Sequence, residues 1–177
     1  MASPAAGFDQ PFEMLGACHE RVRRTLALMQ RLVAHVQTHG VDANARSAAG
    51  DVWRYFEVAG PAHHEDEERH VIPLLLASGD ATLMAAARQM RSDHERMDAV
   101  WATLSMRLRL LRDGPEGPLT PQALACLDED VRQFVAIHDT HVPLEDAIAF
   151  PAARERTTAT AQAAMGEEMA TRRGAQR

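Results

Sequence analysis

The chain has 177 residues, 46% of them hydrophobic and 5% aromatic, with a formal net charge of −6. That length and apolar content suffice for one domain with a packed core, and the acidic balance argues against a nucleic-acid binder. No apolar run approaches the ~20 residues of a membrane span, and residues 1–11 lack the charged start and apolar core of a secretory signal.

Residues 1–10 read as a flexible lead-in, with Asp9 placed to cap a helix and Pro11 in its first turn. The first helix follows. Leu15, His19, Val22, Leu26, Met29, Val33 and Val36 recur at alternating intervals of four and three, the seam of an amphipathic helix. His19 takes a slot meant for an apolar side chain, and Gly40 is the stop. A second helix starts near Asp42–Ala45 with the seam Val52, Phe56, Ala59, His63, Glu67, His70, Leu74, a kink at Gly60-Pro61, and an end around Ala77–Gly79. The third starts at Asp80, with Met84, Ala87, Met90 or Arg91, His94, Met97, Trp101, Leu104, Leu108 and Leu111 on its seam. Its methionines, Met84, Met90, Met97 and Met106, read as core packing. A turn-rich loop over 113–118 leads to Thr120-Pro121, cap and first turn of a fourth helix. Its seam is Leu127, Val131, Phe134, His138, His141, Glu145, Ile148, with a local bend at Pro143 and an end at Pro151.

The predicted fold is therefore all-α: an antiparallel up-down-up-down four-helix bundle over residues 8–155, with 156–177 a tail or an extra helix. Cys18 and Cys126 form no paired motif and read as small buried residues. A cytoplasmic location is expected.

One pattern occurs twice. His63-His64-Glu65-Asp66-Glu67-Glu68 and His141-Val142-Pro143-Leu144-Glu145-Asp146 share a His, three residues, a Glu and an acidic residue, each followed by a short apolar run and a Pro. Residues four apart lie on one helix face, so His63 with Glu67, and His141 with Glu145, can each serve one point. His19-Glu20-Arg21 is echoed by His94-Glu95-Arg96, which makes the repeat an internal two-fold. A single seam His is more often a hydrogen-bonded core residue than a ligand. Two seam carboxylates with no Lys or Arg on the same seam are different: burying them demands positive charge, and a pair of divalent cations supplies it. His138, one turn before His141, and His70, one turn after Glu67, are further candidates. His64, Glu65, Asp66 and Glu68 read as a solvated or supporting face, and His35 and His39 as surface.

With these residues in place the chain resembles the hemerythrin-like family, the HHE cation-binding domains, over roughly residues 12–153. The matching pattern is His19, His63-x3-Glu67, His94 and His141-x3-Glu145. The resemblance implies a non-heme di-iron centre inside a four-helix bundle, with Glu67 and Glu145 as bridges and His19, His63, His94 and His141 as terminal ligands. Oxygen-carrying members have a His-x3-His pair on the third helix and an Asp bridge on the fourth; here Met90 and Asp98 stand four residues either side of His94 and the second bridge is Glu145, so the resemblance is to the bacterial two-fold type. His138 is then a substitute for the missing fifth histidine. The expected metal set is His19, His63, Glu67, His94, His138, His141 and Glu145. The expected metal is iron, with Zn or Mn as alternatives, and the expected partner is O2, peroxide or another small gas, with a homodimer as one possible assembly. The function expected is oxidant binding for sensing, storage or redox protection. A peroxidase- or oxidase-type enzyme and a zinc or mono-metal structural bundle are the alternatives. A ferritin-like site is disfavoured, because only Glu67-x-x-His70 fits its Glu-x-x-His motif.

Overall fold

The computed structural model describes residues 7–174, so the lead-in through residue 6 and the last three residues of the tail lie outside it. Among the described residues the regular structure is helical throughout. α1 spans Pro11–His39 and stops at Gly40, whose φ of +76° continues no right-handed helix. α2 spans Ala43–Asp66, and Asp42 Oδ1 caps it by accepting from the Ala45 amide at 2.8 Å. It passes through a π turn, Glu67–Val71, into α3, Ile72–Leu76. α4 spans Ala81–Asp113, capped by Asp80, and α5 spans Pro121–Leu144, capped by Thr120. A second π turn, Glu145–Ala149, leads to α6, Phe150–Glu155, and then to α7, Ala159–Arg172. Among the described residues no helix is long and apolar enough to cross a membrane.

The residues group into two compact units. The first combines the chain up to Arg21, Ala62–Ser92 and the chain from His141 onward. The second combines Val22–Pro61 and Asp93–Thr140. In the second, Phe56 packs edge-on against Phe134 with ring centres 4.9 Å apart, and the Arg112 guanidinium lies over the Trp53 ring at 4.7 Å. Val41 and Gly117 exchange two backbone hydrogen bonds of 2.7 and 2.9 Å, which tie the α1–α2 loop to the α4–α5 loop. Met106 is half-exposed rather than core, and Cys18 and Cys126 are only partly buried, because each stands beside its helix's seam rather than on it.

The seams on α1 and on α5 as far as Glu145 are buried as predicted. Past each Glu the pattern slips by one residue. Val71 and Leu75 are buried where His70 and Leu74 were expected, and Ala149 is buried where Ile148, 36% exposed, was expected. The π turns are the cause. A π turn carries one residue more than an α turn, and here the amides of Ile72 and Phe150 reach back to the carbonyls of Glu67 and Glu145. Each turn is followed by a proline, Pro73 or Pro151, whose ring presses on the carbonyl four residues earlier; a widened turn relieves that clash. Pro151 therefore opens α6 instead of ending the helix, and α2 and α5 run unbroken through Pro61 and Pro143.

The tail is ordered as α7. Thr158 caps it, and Met165 and Met169 join the core of the first unit beside Val71, Ile72, Leu75 and Phe150. A Cβ on Gly166 would stand 1.7 Å from the Phe8 carbonyl oxygen, so only glycine allows this approach. Gly166→Ala is expected to lower stability by about 1–3 kcal/mol, the usual cost of forcing atoms into a packed contact, measured by urea denaturation.

Candidate metal centre

The first unit gathers most of the polar residues singled out on the seams. His19 comes from α1, His63 from α2 and His141 from α5, while Glu67 and Glu145 are the first residues of the two π turns. All five are buried. The i, i+4 spacing does what it implied: His63 Nε2 lies 3.1 Å from Glu67 Oε1, and His141 Nε2 lies 2.7 Å from Glu145 Oε1. His19 links the two motifs, with Nε2 3.0 Å from Glu145 Oε2 and 3.2 Å from His63 Nε2. One ligand atom from each of His19, His63, Glu67 and Glu145 falls within 4.8 Å of the others.

The alignment of these groups suits a cation better than a proton. His19 donates Nδ1–H to Asp146 Oδ1 at 2.7 Å, which leaves Nε2 of the neutral ring bare. That nitrogen faces Glu145 Oε2 at 3.0 Å and His63 Nε2 at 3.2 Å, donor atoms that one cation can bind together. The oxygens of Glu145 sit at hydrogen-bonding distance from two imidazoles yet accept no well-aligned hydrogen bond. Imidazole and carboxylate together suit iron, manganese or zinc. The residues thus fit a bound metal.

Charge and burial also move the titrations of the metal-free site. Burial pushes the Glu145 carboxyl up to about 8, the Glu67 charge adds to this, and His19 and His63 oppose it. For His63, burial favours the neutral ring, but the Glu67 carboxylate, then Cys18 and Glu145, outweigh it and hold the imidazolium well above its ordinary range.

Of the remaining predicted residues, His138 and His70 fall elsewhere. His94 is buried on the part of α4 that belongs to the second unit. His138 joins no cluster of ligand atoms among the described residues. Its Nδ1–H donates to the Phe134 carbonyl at 2.8 Å, and its ring packs against Phe134 and Phe56 at 4.5 and 5.7 Å. His70 points to α7 and donates Nε2–H to Glu168 at 2.7 Å, since the π turn rotates it off the seam. Asp66, expected on a solvated or supporting face, is fully buried, paired with Arg172 of α7 and with Arg173 just after it.

Sequence reasoning missed the role of Asp146 as the acceptor that fixes His19. The signal was present, since an acidic residue follows the Glu in both motifs. Phe150, stacked on the His19 ring at 5.3 Å, was equally visible as part of the apolar run.

Residues 10–153 match the hemerythrin HHE cation binding domain. The chain belongs to that family. It is also similar to an uncharacterized protein of Haemophilus influenzae, 28% identical over 168 residues that span 95% of this chain and 92% of the relative. Together with the buried His and Glu cluster, membership of the hemerythrin HHE family makes this a metal-binding protein.

The raised titrations give a pH dependence with a definite sign. In the metal-free protein Glu145 and His63 both bind protons more tightly folded than unfolded, so stability falls as pH rises from about 4.5 to about 8. Thermal melts of metal-free protein across this range should show that decline, and Glu145→Gln should flatten it.

Proposed function

We propose that this protein holds two iron ions and binds O2 or a related small oxidant such as peroxide or NO, in sensing, storage or redox protection. Glu67 and Glu145 serve as the shared carboxylates, and His19, His63, His94 and His141 as terminal ligands. The observation that carries the reading is the convergence of His19, His63, Glu67 and Glu145 at one buried point. Supporting it, the sequence repeats the His-x3-Glu motif and places His94, buried on α4, as the echo of His19. The reading carries with it an antiparallel up-down-up-down bundle with a two-fold repeat, in the cytoplasm, alone or as a homodimer.

Bound iron would supply a one-electron couple and open positions for a small oxidant. The chain's own residues do the rest. Asp146 takes the Nδ1 proton of His19 and so directs Nε2 inward. Phe150 stacks on the ring of His19, and Val71, Ile72 and Ala149, which follow the two Glu residues in sequence, are fully buried and apolar.

A second reading is a single zinc. The four ligand atoms of His19, His63, Glu67 and Glu145 are the number and kind that zinc takes. Metal analysis after anaerobic Fe(II) loading separates the two. About two irons per chain and a new near-UV or visible band on admitting O2 support the first; one zinc that iron does not displace overturns it. Glu67→Gln and Glu145→Gln should each reduce bound iron to one per chain or less. Asp146→Ala should weaken Fe(II) binding about 10–100-fold, the range for losing a partner that orients a ligand, as read by chelator competition.

A further inference from the structure

Asp66 stands directly before Glu67 and is fully buried, yet its partners come from another helix. Arg172 Nη2 donates to Asp66 Oδ1 at 2.7 Å, Arg173 Nη1 donates to the same oxygen at 3.0 Å, and Arg173 Nη2 donates to Asp66 Oδ2. Arg173 Nη2 also donates to the Ala62 carbonyl at 3.0 Å, one residue before His63. Two guanidinium groups of α7 therefore grip the backbone and the buried carboxylate on either side of the His63–Glu67 turn.

The grip continues along the π turn. His70 donates to Glu168, whose two carboxylate oxygens take Arg172 Nε at 3.0 Å and Nη2 at 2.8 Å. α7 is itself seated by Gly166 against the Phe8 backbone and by Met169 in the core. The second motif is built differently: Leu144 occupies the position that Asp66 holds in the first. A neutral residue suffices there, so the buried acid at 66 is an addition to the shared plan, placed where α7 can hold it.

We propose that α7 is a positioning element for the metal centre. Arg172 and Arg173, through Asp66 and the Ala62 carbonyl, fix the rotation of the segment that aims His63 and Glu67, and undocking α7 weakens metal binding at that half of the site. This rests on the assignment of His63 and Glu67 as ligands. The chemistry requires such a device because a π turn is an irregular, locally adjustable piece of helix. A ligand at its first residue is aimed only as well as the turn is held.

The test uses the full-length protein with Arg172→Met and Arg173→Met combined, and separately Gly166→Ala, which blocks docking without touching a charge. Fe(II) affinity is measured anaerobically by chelator competition. Amide hydrogen exchange is followed in the metal-free protein at 67–76 and at 145–153. The expected result is roughly tenfold weaker iron binding, the lower end for losing a ligand-orienting partner, and faster exchange at 67–76 alone. Adding Asp66→Asn to the arginine pair variant should recover melting temperature but not affinity. A lowered melting temperature with affinity within twofold of the parent overturns the proposal, as does an equal rise in exchange at both segments. If Gly166→Ala does not fold, the arginine pair variant decides. Should Glu67→Gln retain its iron, the ligand assignment fails instead, and the exchange data still report whether α7 holds the turn.

Discussion

Burial of two carboxylates against three imidazoles at one place in a helical core is the constraint around which this chain is arranged. Taking a carboxylate out of water costs several kcal/mol unless it is paired, and the protein buries one at Glu67 and another at Glu145. His19 donates Nδ1–H to Asp146 and so turns Nε2 toward Glu145 and His63, where a cation can be shared. The surrounding elements are legible as support for this arrangement: helices that bring the groups in at i, i+4 spacing, a stacked Phe150, and buried apolar residues following each Glu in sequence. The raised Glu145 titration reflects the same physics in metal-free form, where a proton does poorly what a cation does well.

Most of the helical pattern could be read directly. Gly40, Asp80 and Thr120 mark their boundaries, because each works through local backbone chemistry that one or two residues determine. The seam failed where geometry stopped being regular. Counting in threes and fours assumes an α-helix, and the two π turns add a residue that no periodicity rule anticipates. The prolines after them were read as a stop and as punctuation, while their actual effect lies in the turn before them. α7 was undecided because its seating depends on a partner distant in sequence: Gly166 reads as a helix weakener until Phe8 is known to lie 1.7 Å from where its Cβ would stand.

The site shows the same division. The i, i+4 pairs and His19 were legible because they obey helical spacing and because the motif recurs. His138 was not, since spacing places it on the seam but cannot tell whether its Nδ1 is spent on the Phe134 carbonyl. Asp66 reads as either solvated or supporting for a related reason: its arginine partners lie 106 and 107 residues away. Local chemistry was readable and long-range pairing was not.

The widened turns also determine which kind of sequence change the two motifs can absorb. Replacing a side chain within Glu67–Val71 alters one contact. Deleting one residue there would remove the surplus that the π turn holds, and a regular α turn would still carry Val71 and Leu75 to the core; inserting one would turn everything downstream by about 100° about the helix axis and swing them out of it. For these short stretches length is tolerant in one direction only, and a single-codon insertion is a graver lesion than a deletion or most substitutions.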